Sequence, residues 1–156
     1  MQMHQLDARA RRMIQVLKEM IVRTSVTVEE IYAAVRGEET MQPFANGGTW
    51  GHDRAHDWMD FRVKAVIPQG FCGKAVLSIT TGREGQWEAI NPQFVVWVNG
   101  RIEQAFDTQH TTLVLAEQAE PGREYDIFLQ GYANCEWPNH GPRNLTPPQM
   151  LHLPLT

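Results

Sequence analysis

Residues 94–106 read FVVWVNGRIEQAF and carry the clearest local structural signal of the chain. Five apolar residues precede Asn99 and Gly100, and a second run follows from Arg101 to Phe106. Asn-Gly is favoured in a type I′ turn because both residues tolerate the positive φ that this turn needs. The segment therefore predicts an antiparallel β-hairpin with its turn at Asn99-Gly100.

Further strands are predicted on both sides of this hairpin. Residues 59–67 alternate between apolar and polar positions, with Phe61, Val63 and Ala65 on one side, and Pro68 ends the run. Strands at short intervals without intervening helices predict an antiparallel β-sandwich. The other predicted strands, each bounded by turn residues, are 75–80, 112–115 and 125–132.

The first 39 residues predict a helical segment that precedes the sandwich. Apolar residues recur every three or four positions from Leu6 to Ile21, which places them on one face of a helix. Thr27 and Glu30 form a capping-box pattern, which predicts a second, shorter helix ending near Gly37. We assign residues 1–39 to this segment and residues 40–156 to one sandwich domain with an extended or irregular C-terminal tail. The apolar positions of the first helix are Leu6, Ala10, Met13, Leu17, Met20 and Ile21.

Composition narrows the functional class. The chain has 156 residues, enough for one domain, and a formal net charge of −4. This charge lacks the positive excess that nucleic-acid binding uses, and no apolar run is long enough to span a membrane. Basic residues interrupt the N-terminal apolar positions, so no signal peptide is recognised. We expect a cytoplasmic protein with no nucleic-acid or membrane partner, and its two cysteines, Cys72 and Cys135, as free thiols.

One cluster has metal-binding chemistry. His52 and His56 would share a face of a helix and could bind zinc together with Asp107 or His110. However, glycines at 47, 48 and 51 disfavour a regular helix through His52. The favoured interpretation is a polar loop without a metal, and the alternative is a zinc site with His52 and His56 as ligands.

Catalytic motifs do not emerge from the sequence. It contains no GxSxG, GxxxxGK[ST], GxGxxG or CxxC pattern. Eighteen acidic residues supply many carboxylate pairs, but spacing does not show which of them lie close together. We therefore assign no catalytic residue.

Tryptophans suggest carbohydrate binding, because an indole face can stack on the apolar face of a sugar ring. Trp50, between glycines, is the best candidate for an exposed platform, and Trp58 is a second. Trp97 lies within the hairpin and is interpreted as a packing residue.

An ordered set of short strings resembles the N-terminal β-sandwich domain of bacterial α-mannosidases of glycoside hydrolase family 38. The resemblance covers about residues 45–135. Ala105 and Phe106, which directly precede Asp107, depart from the family pattern. The family favours a short segment that contains glycine at this place. The matching strings are Trp50-Gly51, Ile67-Pro68, Asn91-Pro92-Gln93, Asn99-Gly100 and the Asp-x-x-His motif from Asp107 to His110.

The resemblance implies that hydrolysis takes place elsewhere. Family members are several times longer, and their zinc ion and aspartate nucleophile belong to a later catalytic domain whose His-x-Asp zinc motif has no counterpart here. It implies a jelly-roll or galactose-binding-like sandwich with no cofactor of its own, and zinc in the missing catalytic domain. Asp107 and His110 would anchor the loop after the hairpin by a mutual or backbone hydrogen bond, and are also candidate sugar contacts.

Three hypotheses follow. The leading one is a non-catalytic accessory domain of an α-mannosidase-like enzyme of mannose metabolism, with its own catalytic domain, a second copy of the chain and mannose-containing glycans as expected partners. The second is a free-standing carbohydrate-binding module that uses Trp50 and Trp58. The third is a small zinc hydrolase built on His52, His56 and His110.

Overall fold

The structure is a computed structural model that describes residues 2–21, 24–51, 57–82, 84, 92–133, 149–151 and 153–156. Among these residues, one helix, α1 (Gln2–Ile21), precedes twelve strands. The strands are β1 (Val26–Thr27), β2 (Glu30–Val35), β3 (Gln42–Pro43), β4 (Gly48–Trp50), β5 (Trp58–Val66), β6 (Ala75–Ser78), β7 (Gln93–Val98), β8 (Arg101–Phe106), β9 (Thr112–Ala116), β10 (Glu124–Tyr132), β11 (Gln149–Leu151) and β12 (Pro154–Leu155).

The strands build an antiparallel β-sandwich, which confirms the predicted fold class. Six strands form one sheet in the order β3-β2-β5-β10-β7-β8, and four form the other in the order β1-β12-β6-β9. A short pair, β11 and β4, lies beside them. Apolar residues of both sheets join in one buried cluster, as expected for two packed sheets.

Alternation along the strands decides which side chains enter this core. In β5, Phe61, Val63 and Ala65 are buried, whereas Arg62 and Lys64 between them are exposed. The same alternation in β10 buries Tyr125, Ile127 and Leu129. The opposite side of the six-stranded sheet, here called the outer face, consequently carries the polar and aromatic residues of these strands.

The predicted hairpin is confirmed, with β7 and β8 paired around Asn99 and Gly100. Both turn residues have positive φ, 51° and 80°, as a type I′ turn requires. The Asn99 side-chain oxygen also accepts a hydrogen bond from the Asp126 backbone N–H at 3.0 Å. Asn99 thus closes the turn and ties it to the neighbouring strand β10.

Replacement of Asn99 by Ala is expected to lower the free energy of unfolding by about 1–2 kcal/mol, because alanine disfavours positive φ and cannot accept this hydrogen bond. Asn99→Gly is the matched control, since it keeps the backbone freedom and loses only the side-chain bond. Urea unfolding should give a lower free energy of unfolding for Asn99→Ala than for Asn99→Gly. Equal stability of the two variants would contradict the conformational part of the argument.

The second predicted helix is wrong. Residues 30–35 form β2, which pairs with β5 over its whole length, Ile31 lying opposite Val63. The capping-box pattern is only a local preference, and burial of Ile31 and Ala33 in the sheet overrides it. Within the described part of residues 1–39, only Gln2–Ile21 is helical, and the sandwich already begins at β1.

The sequence predicts an extended or irregular C-terminal tail. Its described residues include β11 and β12, and β12 lies between β1 and β6 in the four-stranded sheet. Leu153 and Leu155 are fully buried in the core. The tail is extended there, but it is a structural strand of the sandwich.

No described helix combines the length and the apolar character needed to cross a bilayer.

Candidate functional site

The outer face of the six-stranded sheet concentrates the aromatic and charged groups that are exposed enough to bind a partner. Side chains of neighbouring strands lie side by side there and form rows across the sheet. One row runs through Tyr32, Arg62, Phe128, Trp97 and Ile102, in the order of β2, β5, β10, β7 and β8. A second row, at the far end of the same strands, contains Arg36, Trp58 and Tyr132.

Trp58 is the predicted sugar platform that the structure places on this face, where it is 47% exposed. The Tyr132 ring lies 4.3 Å from the Trp58 ring, centroid to centroid, with an angle of 36° between the planes. The Arg36 guanidinium lies 4.3 Å from the Trp58 ring centroid and also bonds Asp60 at 3.1 Å. Arg36 directly follows β2 and Tyr132 ends β10, and these two strands lie on opposite sides of β5, so the two side chains flank the indole.

Trp50 does not form an exposed platform, and this prediction is wrong. Its side chain is 1% exposed and packs against the rings of Phe61 and Phe94, at centroid distances of 5.2 and 5.5 Å. Gly51, directly after Trp50, has a positive φ of 67°, and burial of so large an apolar surface as the indole is favourable. Its Nε1 has no hydrogen-bond partner among the residues that the structure describes.

Next to the aromatic rows, an open cleft of about 450 Å³ lies at the end of the outer face near the β7–β8 turn. The Arg62 guanidinium binds the Asp126 carboxylate through two contacts of 3.0 and 2.8 Å, and Lys64 pairs with Glu124 at 3.1 Å. Tyr32 lies at the edge of the cleft, and its side chain is 38% exposed. The full lining is Glu30, Tyr32, Arg62, Lys64, Asn99, Glu124, Tyr125 and Asp126.

The ion pair of Asp126 suits this carboxylate to binding more than to acid catalysis. The hydrogen bond from Arg62 holds the pKa of Asp126 below its ordinary value and outweighs the opposing effect of burial. A glycosidase general acid needs the reverse, a carboxyl group whose pKa is raised. Asp126 therefore stays ionised and can accept hydrogen bonds from a ligand.

A second cleft, of about 600 Å³, lies on the other sheet and is lined by Phe71, Cys72, Lys74, Val76 and Ser78 among others. Its one aromatic residue, Phe71, is buried. This cleft offers a bound ring no stacking surface among its described residues.

Asp107 and His110 lie together in the loop after β8. One Asp107 carboxylate oxygen accepts hydrogen bonds from the backbone N–H groups of Gln109 and His110 at 2.7 and 2.6 Å, and the His110 Nδ1 lies 3.1 Å from both carboxylate oxygens. The Asp107 N–H donates to the His110 carbonyl at 3.1 Å. The expected mutual and backbone hydrogen bonds are thus present and give both residues a structural role.

This loop predicts a pH dependence. Burial tends to raise the pKa of Asp107, but the hydrogen bonds from His110 and Gln109 outweigh it and lower the pKa. A carboxyl group with a lowered pKa in the folded state stabilises the fold above its unfolded pKa and loses that contribution as the pH falls through its folded pKa. Asp107→Asn should therefore be less stable than the parent at pH 7, by about 0.5–1 kcal/mol for this partly exposed group, and the difference should shrink below about pH 4.

Urea unfolding of both proteins between pH 7 and pH 2.5 measures this difference. Other carboxylates titrate equally in both proteins and cancel. Gln109→Ala is the control, because Asp107 uses only the backbone of Gln109. A stability difference that stays constant with pH would contradict the assignment.

The proposed zinc ligands are only partly described. His52 and His56 lie outside the described residues, as do Trp87, Trp137 and Cys135. Among the residues that the structure describes, His110 and its neighbours belong to no group of three or more metal-binding side chains.

Several residues of the outer face were missed in the sequence. Phe128 and Tyr132 alternate with the buried Ile127 and Leu129, so the period-2 pattern of β10 already places them on the opposite side. The helix that the sequence predicts up to Gly37 conceals Arg36, which reaches Trp58 because residues 30–35 form a strand. Trp97 is a packing residue, as predicted, but its ring packs against the Phe128 ring on the outer face and not in the core. The two ring centroids are 5.6 Å apart.

Comparisons with known proteins identify the fold. No family model and no curated protein matches the chain. Among solved structures, the FMN-binding β-glucuronidase from Faecalibacterium prausnitzii L2-6 is similar at TM-score 0.54 and 14% identity, over 85% of this chain and 22% of that enzyme. A β-glucuronidase from an uncultured Clostridium species is similar at TM-score 0.53 and 13% identity, over 85% of this chain and 28% of that enzyme. Both contain this β-sandwich. The chain therefore spans about a quarter of the length of these structures, and identities this low show the fold alone.

Proposed function

We propose that this chain is a non-catalytic β-sandwich domain of a glycoside hydrolase. The observation that carries the proposal is the similarity of 85% of the chain to a part, 22% and 28%, of two much longer β-glucuronidases. The residues agree with it, because three carboxylates of the outer face, those of Asp60, Asp126 and Glu124, are held in ion pairs with Arg36, Arg62 and Lys64. Such a domain supports a catalytic domain elsewhere in the same protein.

The parent enzyme proposed from the sequence resemblance is an α-mannosidase. The strings between Trp50 and His110 favour this family, whereas the similar solved structures are β-glucuronidases. The family-38 alternative requires zinc in the catalytic domain. The two assignments therefore differ in substrate and in metal dependence.

The test starts from the natural gene, read beyond the codon for Thr156. The proposal expects an open frame that continues into a catalytic domain, and the full-length protein is then assayed with aryl α-mannoside and aryl β-glucuronide. Turnover of the mannoside that is lost with a chelator and restored by zinc supports the α-mannosidase, and metal-independent turnover of the glucuronide supports the other parent. Robust hydrolysis of either substrate by the 156-residue chain alone would overturn a non-catalytic role.

A free-standing carbohydrate-binding module is the second candidate, and the outer face favours it. The cleft combines the phenol ring of Tyr32 with donors and acceptors from Arg62 and Asp126. A sugar hydroxyl both donates and accepts, so it could bridge such a pair without separating its charges.

Titration with mannose, mannobiose and glucuronic acid, followed by tryptophan fluorescence and isothermal calorimetry, tests this candidate. Binding at millimolar sugar should be lost in Tyr32→Ala and kept in Val114→Ala, which removes an exposed residue of the other sheet. No response at millimolar sugar removes the candidate.

A further inference from the structure

Helix α1 exposes an apolar face that a folded domain normally covers. All side chains described on this helix, residues 7–17, are exposed, and its large apolar ones are among the most exposed of the protein. Exposed apolar surface of this kind marks an interaction site. The exposed fractions are 65% for Met13, 54% for Ile14, 47% for Val16 and 55% for Leu17.

The spacing of the apolar positions indicates that the partner is another helix. Positions 3, 6, 10, 13, 17 and 20 hold Met, Leu, Ala, Met, Leu and Met, separated alternately by three and four residues. This repeat of 3.5 residues is the pattern of two helices packed with knobs into holes, where the seam faces the partner along its whole length. The charged residues Arg11 and Arg12 lie away from this seam.

We propose that α1 pairs with α1 of a second copy of this chain, in antiparallel orientation. In a parallel pair, identical positions meet, so Ala10 would face Ala10 and leave a gap while the two Met13 side chains crowd together. In an antiparallel pair centred between these positions, Ala10 of each copy faces Met13 of the other. A small side chain then packs against a large one in both central layers, and the interface is filled evenly.

The size of the interface predicts a reversible dimer. A helix of 20 residues is about 30 Å long, and an apolar stripe about 10 Å wide covers roughly 300 Å² of each helix. The pair buries roughly twice this area, below the about 1,200 Å² of stable complexes. We therefore expect a weak, reversible dimer that dissociates on dilution.

Analytical ultracentrifugation of the full chain from about 5 to about 500 µM tests the proposal. The average mass should rise from 17.8 kDa towards twice that value with concentration. Leu17→Glu should weaken association at least tenfold, whereas Arg12→Gln, an equal change of net charge on the opposite side of the helix, should leave it unchanged. Circular dichroism of both variants checks that the sandwich remains folded.

A monomer at about 500 µM would overturn the proposal, as would association that Leu17→Glu leaves unchanged. Vesicles of phosphatidylcholine with phosphatidylserine provide the competing readout. A chain that stays monomeric but binds these vesicles through α1 would assign the face to a membrane surface and also overturn the proposal.

Cysteine cross-linking tests the orientation in a background of Cys72→Ser and Cys135→Ser. Ala10→Cys alone should cross-link poorly, whereas a mixture of Ala10→Cys and Met13→Cys chains should form the mixed disulfide. Efficient cross-linking of Ala10→Cys with itself would show a parallel pair and overturn the antiparallel arrangement.

Discussion

Trp50→Ala is expected to lower the free energy of unfolding by about 3–5 kcal/mol, a large share of the total for a domain of this size. The indole is fully buried and packs edge-on against Phe61 and at a tilt against Phe94. Its removal leaves a cavity among residues of three strands, which the paired backbones cannot close. Chemical denaturation, followed by circular dichroism, measures the loss.

The matched control removes the same atoms from the outer face. Trp58→Ala should cost about 1 kcal/mol, because this indole is half exposed and loses only its contacts with Arg36 and Tyr132. Similar losses for the two variants would mean that Trp50 is not the core residue described here. The loss of unfolding free energy in Trp50→Phe should lie between those of the two alanine variants. The phenylalanine keeps most of the apolar volume and removes a buried N–H group.

Gly131→Ala is the second substitution with a large expected effect, a loss of about 1–3 kcal/mol. A Cβ at position 131 would lie 2.8 Å from the Trp50 Cη2 atom, 3.1 Å from the Met59 carbonyl oxygen and 3.1 Å from the Phe94 Cε1 atom. The Met59 carbonyl belongs to β5, opposite Gly131 in the register of β5 and β10, so it cannot move without disturbing the sheet. The extra methyl group must therefore displace the Trp50 and Phe94 rings away from position 131.

A double-mutant cycle with Trp50→Leu isolates this contact. The leucine removes the Cη2 atom, so Gly131→Ala should cost markedly less in that background, with a coupling energy of about 1 kcal/mol. Additive costs would show that the glycine is required for a reason other than the tryptophan. The same urea unfolding experiment serves all four proteins of the cycle.

The contrast between the two tryptophans shows how far sequence reasoning reaches at the candidate site. Trp58 lies in a strand whose alternation predicts its side, and it does lie on the outer face. Trp50 lies between glycines, and its sequence neighbours contain no period that fixes its orientation. Its burial depends on Gly131, 81 positions away along the chain, where a missing side chain provides the space.

Strand β2 shows the same limit for the fold. Locally, Thr27 and Glu30 satisfy a helix-capping pattern, and no property of residues 27–37 alone excludes a helix. Pairing with β5 decides the outcome, because a strand there buries Ile31 and Ala33 against the core. Arg36 reaches Trp58 and Asp60 only because β2 is a strand, so this error also concealed part of the site.

By itself, the sequence determined the elements whose structure depends on near neighbours. The alternation of residues 59–67 and the positive φ tolerated by Asn99 and Gly100 fixed the central strands, the hairpin and hence the sandwich. The three-four spacing likewise determined α1 and its apolar face. The tertiary structure alone decided which residues from distant strands share the outer face, and that β12 completes the second sheet. These depend on long-range pairing, whose stabilising contacts exist only once the chain has folded.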